Sequence, residues 1–391
     1  MLPVSYSVRN VVARPGRSLM SASVIALVVI ACSLFLGLIA SLKRTVSSSG
    51  DPMNLVVMRK GSENDGASWL PLAAFQAIRF FDGIARDAAD QPLASPELVV
   101  QPFFHTHAGG RENVLVRGVE PVALAVHNIV KITEGRMFTP STHEAVVGRG
   151  VVGRYVGTTL GSDLAFGHGT WKVVGILDAD GSSFESEVWI DVRELAYDAR
   201  RPSPYSGARL RAASAADLEP LMRRIDADPR YALHAQRETE YYAKQSESAD
   251  SLYILVIGIA VLAGIGAGFG ASNTMYAAVQ ARTAEIGTLR ALGFSRAAIL
   301  TAFELEALAL SAVGFAIGAA SAVGLSRLIG YLLGGIAFGA ATFTTNVIML
   351  KVTTSDLLGA LVLALAIGIC GGLAPAWRAA HLRPIDALHK A

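Results

Sequence analysis

The sequence predicts an α-helical membrane protein with four transmembrane helices and an α+β domain inserted on the outer side between the first and second helices. Three observations predict this class. Of the 391 residues, 52% are hydrophobic and only 17% are charged, whereas soluble domains carry about 25% charged residues. Several long runs contain no charge at all. Between the first two runs lie roughly 200 residues in which apolar and polar residues alternate and turn-forming residues recur, as in a folded domain in water.

Four apolar runs are long enough to cross the ~30 Å hydrocarbon layer, which takes about 20 helical residues. The first run follows a basic segment, but it lacks a small-residue cleavage site and is too long for a signal-peptide core. We therefore expect a retained helix there. The predicted spans are residues 18–42, 251–281, 297–326 and 356–377.

Residues 328–350 are also uncharged, but charge placement argues against a fifth span. Basic clusters precede the first span, follow the second and follow the fourth. The positive-inside rule places all three in the cytoplasm, which requires an even number of crossings. We therefore expect residues 1–17 and 378–391 to be a cytoplasmic amphipathic lead-in and tail, and residues 327–355 to be an outer loop with a short helix. The clusters are Arg9, Arg14 and Arg17; Arg282, Arg290 and Arg296; Arg378, Arg383 and Lys390.

Residues 43–250 have the sequence pattern of a mixed α+β domain. Short β-branched runs bounded by Gly or Asp predict strands, and two segments have one apolar face at helical spacing. From Glu238 to Asp250 there is no helix breaker before the second span. We expect this stretch to extend the second span outward as a stalk. The predicted strands are residues 113–119, 144–151, 170–177 and 186–192, and the helices begin near Ser68 and at a capping pattern of Ser214 and Asp217.

The sequence contains no catalytic constellation. The phosphate-binding motif G-x-x-x-x-G-K-[ST] is absent, as are G-x-S-x-G and H-E-x-x-H. His105 and His107 have no third metal ligand nearby, and Cys32 and Cys370 lie inside apolar runs. A net charge of +2 does not suggest a nucleic-acid partner. We expect no catalytic residue, metal or cofactor in this chain.

Residues 282–296 are polar although they lie between two apolar spans. On a helix, Ile286, Leu289 and Gly293 fall on one stripe, with Leu292 beside it. Such a short helix is marginal in water and gains stability mainly by packing. The stripe therefore predicts a helix that binds a protein groove. A tight turn lying on the membrane surface is the alternative.

The ends of this helix are also marked. Gly293 can adopt the left-handed C-terminal turn, and Arg290 is placed near the negative end of the helix dipole. Ser295 can cap the next helix. Arg282 and Glu285 are spaced for a surface ion pair. The sequence thus predicts a helix, a stop and a second helix cap within about fifteen residues.

The second and third spans carry further candidate residues. Small residues four apart let helices approach closely in lipid, although glycine is also tolerated in membrane helices without such contact. Carboxylates at membrane depth are costly, so they are expected at the interface or against a partner helix. The glycines are Gly264, Gly266, Gly268 and Gly270 in the second span, and the carboxylates are Glu304 and Glu306 in the third.

At these residues the sequence resembles the permeases of the MacB/FtsX/LolC type, the mechanotransmission (type VII) branch of ABC transporters. "RTAEIGTLRALG", from Arg282 to Gly293, followed by Glu304 or Glu306, is similar to the family's order. "PAWRAAHLRPIDAL" resembles its closing signature, and "SVRNVVARPGRS" resembles its lead-in. Five segments of the outer domain follow the order of the MacB-like periplasmic core domain. They are VRGV, EGRMF, EAVVG, GTTLGSDL and WKVVGIL.

The resemblance implies a bacterial inner-membrane permease with a periplasmic domain. A coupling helix would dock on a separate ABC ATPase, which binds ATP and Mg. MacB itself carries a fused ATPase, so its absence here implies an ATPase in trans. Two ATPase copies would push two permeases, identical or paralogous, together. A membrane-fusion adaptor and an outer-membrane channel are further partners that the family allows. The implied coupling residues are Arg282, Glu285, Ile286, Gly287, Leu289, Arg290, Leu292 and Gly293.

The resemblance leaves the function open between two classes. One is export or extraction of a drug, peptide, lipid or lipoprotein. The other is that of FtsX-like relatives, which activate a periplasmic cell-wall hydrolase and transport nothing. The size of the outer domain favours transport, because FtsX-type outer domains are smaller. A membrane-anchored enzyme is a third hypothesis, which lacks any catalytic constellation.

Overall fold

The computed structural model describes residues 15–333, 335–339 and 345–382. These residues divide into a membrane unit (residues up to 40, 251–332 and from 350) and an outer unit (residues 41–250 and 333–349). The predictions for residues 1–14 and 383–391 lie outside the described residues. The helices of the described part are α1 (Pro15–Ser47), α2 (Leu72–Ile78), α3 (Ala123–Val126), α4 (Val192–Asp198), α5 (Leu218–Asp226), α6 (Glu238–Ala281), α7 (Thr283–Ala291), α8 (Arg296–Leu333) and α9 (Thr354–Ala380).

Within the described residues, four helices, α1, α6, α8 and α9, are long and apolar enough to cross a membrane. This confirms the predicted number of spans. A helix satisfies its backbone hydrogen bonds internally, which lipid requires of any spanning segment. The helices run past the predicted spans where no breaker follows. For example, α1 continues to Ser47 and α8 to Leu333. The predicted stalk is the first part of α6, which is one uninterrupted helix from Glu238 to Ala281.

Close contact between α1 and α8 depends on two glycines that the sequence analysis did not single out. A Cβ on Gly318 would lie 2.7 Å from the carbonyl oxygen of Ala26, and one on Gly314 would lie 2.9 Å from that of Ala22. The spacing "GFAIG" puts both glycines on one helix face, as in other closely packed membrane helices.

Replacing Gly318 by alanine is therefore expected to destabilise the membrane unit by about 1–3 kcal/mol, because the new methyl group overlaps the α1 backbone. Gly266→Ala is the matched control. A Cβ there meets no atom within 4 Å, and alanine has the better helix propensity. Thermal unfolding followed by circular dichroism would compare the two variants. Equal unfolding temperatures would contradict the proposed contact.

The strands of the described residues are β1 (Asn54–Arg59), β2 (Ala94–Val100), β3 (Phe103–His105), β4 (Arg111–Asn113), β5 (Leu115–Val119), β6 (Lys131–Gly135), β7 (Glu144–Gly148), β8 (Asp163–Phe166), β9 (Gly169–Asp178), β10 (Glu187–Asp191), β11 (Gly207–Arg211), β12 (Leu233–Arg237), β13 (Ile336–Gly339) and β14 (Thr345–Ile348).

The outer unit is built on a mixed sheet with the strand order β12-β1-β11-β2-β5-β10-β7-β9-β6, and β8 pairs with β9. The pairs β5–β10 and β7–β9 are parallel, and the other pairs are antiparallel. Helices α2, α4 and α5 contribute buried residues to the same apolar core. The predicted α+β class is confirmed.

The segment 327–355 differs from its prediction as a loop with a short helix. After the end of α8, β13 and β14 form an antiparallel hairpin that belongs to the outer unit. The backbone N–H of Val347 donates to Ser186 Oγ at 2.8 Å, and Arg154 donates to the carbonyl oxygen of Gly335 at 2.8 Å. These long-range hydrogen bonds stabilise strands that a glycine- and threonine-rich sequence did not indicate.

Candidate functional site

An ion pair fixes the start of the short helix α7. The Arg282 guanidinium donates to both carboxylate oxygens of Glu306 on α8, at 2.9 and 3.2 Å. Both side chains are buried, with 6% and 8% exposure. A two-bond pair of this kind sets orientation as well as distance. The predicted surface pair between Arg282 and Glu285 is therefore wrong. Glu285 is exposed, and Arg282 turns towards the helix bundle instead.

One side of α7 packs inside this chain. Ile286 is 2% exposed and joins an apolar cluster, Gly287 is buried, and Leu289 is half-buried. Ile286 therefore packs against this chain and is not presented to a partner, while docking of α7 on a partner stays a prediction. Burial in the chain's own bundle already removes the Ile286 side chain from water. The other members of the cluster are Met275, Val279, Ile299, Phe303, Ala307, Ala376, Ala379 and Ala380.

The opposite side of α7 is open. Glu285, Thr288 and Leu292 are exposed, with Leu292 at 71%. They are spaced by three and four residues, so they share one helix face. We call Glu285, Thr288 and Leu292 the open face. Leu292 is the large apolar side chain of this face, and it is accessible to another molecule.

The end of α7 is closed by local contacts. Gly293 has a φ of +92°, the left-handed conformation expected of it. Arg290 Nη1 donates to the carbonyl oxygen of Phe294 at 3.1 Å. The Ser295 hydroxyl accepts from the backbone N–H of Ala298 at 3.2 Å, which caps α8. Helix α7 is therefore held at both ends.

The two carboxylates of α8 have different surroundings. Glu306 pairs with Arg282, whereas neither oxygen of Glu304 has a hydrogen-bond partner among the described residues. A Cβ on Gly372 of α9 would lie 2.9 Å from Glu304 Oε2. Two residues apart on a helix, these side chains point in different directions, as the sequence suggests. Only Glu306 belongs to the site around α7.

The four predicted glycines of α6 also divide. A Cβ on Gly264 would lie 2.9 Å from Leu363 of α9, and one on Gly371 of α9 would lie 2.9 Å from the carbonyl oxygen of Gly268. A Cβ on Gly266, Gly268 or Gly270 would meet no atom within 4 Å. Within this chain, close packing is seen at Gly264 and at the carbonyl oxygen of Gly268, and at neither Gly266 nor Gly270.

A second polar site lies in the outer unit, and the sequence analysis missed it. Arg117 on β5 donates two hydrogen bonds of 2.6 Å to the Glu187 carboxylate and one of 2.7 Å to Glu97. His127 Nε2 lies 2.7 Å from the other oxygen of Glu97. Burial alone would lower the pKa of Arg117, but Glu187 and Glu97 raise it well above its usual range. Arg117 therefore remains charged.

The same cluster includes the first residue of α6. Arg209 donates to Asp65 Oδ2 at 2.7 Å, and its Nε lies 3.3 Å from Glu238 Oε1. Glu238 Oε2 accepts from Asn54 Nδ2 at 3.0 Å. The charged groups thereby tie the start of α6 to several strands. We call Asp65, Glu97, Arg117, His127, Glu187, Arg209 and Glu238 the buried charge cluster.

These features define the class: a polytopic membrane protein with an α/β domain between its first two spanning helices and a short, anchored helix between the second and third. Two family models match the chain. The MacB-like periplasmic core domain matches residues 18–228, and the FtsX-like permease C-terminal domain matches residues 255–384. The chain belongs to the MacB/FtsX family and is an ABC transporter permease of that type.

Curated relatives agree with this assignment. The macrolide export ATP-binding/permease protein MacB of Nitrobacter winogradskyi is 30% identical over 58% of this chain and 35% of its own length. The uncharacterized ABC transporter permease YvrN of Bacillus subtilis is 30% identical over 42% of this chain and 37% of its own length. The chain thus spans about a third of the length of these relatives.

Two solved structures are similar to part of this chain at low identity. The periplasmic region of MacB from Actinobacillus actinomycetemcomitans has a TM-score of 0.39 and 10% identity, covering 51% of this chain and 94% of that one. The extracellular domain of the noncanonic transporter YknZ has a TM-score of 0.37 and 15% identity, covering 47% and 99%.

Proposed function

We propose that this permease couples ATP hydrolysis on a separate ATPase to the export or extraction of a substrate on the outer side of the membrane. One observation carries the proposal: α7 presents Glu285, Thr288 and Leu292 outward while Arg282–Glu306 and Ile286 hold its other side. A helix anchored in this way can transmit a force from a bound partner to the helix bundle without separating from it. Exposed residues provide the contact, and buried residues carry the force.

The route of the force follows the chain. Helix α7 is held to α8 by the ion pair, and it follows the end of α6 at Ala281. Helix α6 begins at Glu238 in the buried charge cluster. Because α6 is one uninterrupted helix, displacement of its inner end is expected to reach the cluster. This is mechanotransmission, and it requires no pore through the bilayer.

The proposal includes partners and a location. Two ATPase copies would bind ATP and Mg and dock on two permeases, either two copies of this chain or a pair with a paralogue. The membrane would be the bacterial inner membrane, with the outer unit in the periplasm. An adaptor and an outer-membrane channel would extend the pathway. The substrate is a drug, peptide, lipid or lipoprotein, and the macrolide export named for the MacB relative falls within this range.

Changes to the open face are expected to release the ATPase without unfolding the permease. Glu285→Arg and Leu292→Asp should each weaken ATPase binding at least about tenfold, equivalent to ~1.4 kcal/mol, because both side chains are exposed and available for contact. Affinity purification with the ATPase subunit, followed by quantification of both proteins, would measure this.

Glu134→Arg is the matched control, because Glu134 is exposed on β6 of the outer unit. It should leave ATPase binding unchanged. Full retention of the ATPase by both open-face variants would refute docking through α7. Capture of a cell-wall hydrolase, with no nucleotide-dependent movement of substrate, would assign the regulatory function of FtsX-like relatives instead.

A further inference from the structure

An apolar groove opens on the outer unit between the start of α2 and the loop before β11. It has a volume of about 560 Å³, within the range of about 300–1,000 Å³ that small-molecule sites occupy. Leu98 and Tyr205 are buried at its floor, while Trp69 and Leu72 are 45% and 49% exposed at its wall. The remaining lining residues are Ser68, Pro71, Arg201, Pro202, Ser203, Pro204 and Ser206.

The groove is formed before any ligand arrives. The Leu70 backbone N–H donates to the carbonyl oxygen of Tyr205 at 2.8 Å, and the Ser203 hydroxyl donates to the Leu70 carbonyl oxygen at 2.7 Å. These bonds hold the two walls together. Pro202 and Pro204 restrict the backbone of the loop before β11. A preformed site loses little conformational entropy when it binds.

The charges at the groove are positive. Arg201 is the charged residue of the lining, and the Arg59 guanidinium lies 4.8 Å from the centre of the Trp69 ring. Neither arginine forms an ion pair with a carboxylate of the described residues. Glu120 and Asp191 act on the Tyr205 phenol, whose pKa is raised by burial and by these carboxylates, but they do not line the groove.

We propose that this groove binds a small amphiphile that has one anionic group. Its apolar chain or ring would lie on Trp69, Leu72 and the prolines, and its anionic group would reach Arg201, the charged residue of the lining. The charge complementarity selects this occupant over a cationic amphiphile of the same size. The site would receive a transport substrate, and this role rests on the proposed function, whereas binding itself does not.

Trp69 provides the reporter for a direct test. The chain has four tryptophans; Trp171 and Trp189 are fully buried, and Trp377 lies on the spanning helix α9. The full chain carrying Trp377→Phe, in nanodiscs of zwitterionic lipid and without ATPase, would be titrated with bromoundecanoate. Bromine quenches tryptophan fluorescence at contact. Bromoundecyl-trimethylammonium, which has the same chain and the opposite charge, is the matched probe.

We expect saturable quenching by bromoundecanoate and quenching at least tenfold weaker by the cation. Arg201→Glu should abolish or reverse this preference, and Leu72→Asp should weaken the quenching by both probes. Arg111→Glu, at an exposed arginine on β4, should change nothing. Trp69→Phe should remove the quenched signal, which identifies the reporter.

Equal quenching by the two probes, or a preference that survives Arg201→Glu, would overturn the proposal. So would protection of Trp69 from acrylamide in the ligand-free protein, because a second copy or another protein would then cover the groove. The assay contains no ATPase. If the open-face variants keep their ATPase while bromoundecanoate still binds to the groove, the proposed function is refuted and the groove proposal is not. If bromoundecanoate does not bind, the groove proposal is refuted and the proposed function is not.

Discussion

Arg282→Met is expected to lower the free energy of unfolding of the membrane unit by about 3–5 kcal/mol, the usual cost of removing one partner of a buried ion pair. The methionine fills similar volume but leaves the Glu306 carboxylate buried and unpaired. The start of α7 would also lose its anchor. Thermal unfolding would report the stability, and hydrogen exchange at the first turn of α7 would report the local release.

Glu304→Gln is the matched control, two residues from Glu306 on the same helix. Glu304 has no hydrogen-bond partner among the described residues, so neutralising it should not lower stability. The double variant Arg282→Glu, Glu306→Arg should recover part of the loss, because the charges are exchanged rather than removed. An Arg282→Met protein with the wild-type unfolding temperature and unchanged exchange in α7 would refute the anchoring role.

Arg117→Met is expected to destabilise the outer unit by about 3–5 kcal/mol, because it leaves the buried carboxylates of Glu187 and Glu97 without their shared cation. Arg149→Met is the matched control. Arg149 pairs with Asp178 at 3.0 Å but is 54% exposed, and exposed pairs contribute about 0–1 kcal/mol. Urea unfolding followed by the fluorescence of the buried tryptophans would compare them. Similar losses for both variants would contradict the importance of the cluster.

The stability of the outer unit at low pH provides a second test of the buried charge cluster. Burial alone would raise the pKa of Glu97, but His127, Arg209 and Arg117 outweigh it and hold the pKa well below its ordinary value of 4.5. A carboxylate with a lowered folded pKa stabilises the protein above its unfolded pKa, and that contribution is lost as the pH falls. The wild-type outer unit should therefore lose stability below pH 4.5, and Arg117→Met should make this loss smaller.

The spanning helices could be predicted from the sequence because lipid imposes a local requirement. A run that must satisfy its own backbone and carry no charge is visible residue by residue. Strands such as β7 and β9 were likewise visible from β-branched runs. The hairpin of β13 and β14 was not, because its stability comes from contacts with Arg154 and Ser186, which are more than 150 residues away in the chain.

In the candidate site too, features that depend on neighbouring residues could be predicted, and features that depend on distant residues could not. The left-handed turn at Gly293 and the cap at Ser295 depend on neighbours and could be predicted. The partner of Arg282 could not, because Glu306 is 24 residues away and the local rule favours Glu285. Arg117 and Arg209 were missed for a related reason. Charges on strands usually face water, and only the assembled sheet brings their carboxylate partners inside.

The hairpin between α8 and α9 has a consequence for domain exchange. Because residues 333–349 belong to the outer unit together with residues 41–250, a chimera grafted only at the longer segment would retain the recipient's hairpin on a donor surface. Val347 would then need the donor's counterpart of Ser186. Both stretches have to be transplanted as one cassette, and recombination that moves only one of them should yield poorly folded hybrids.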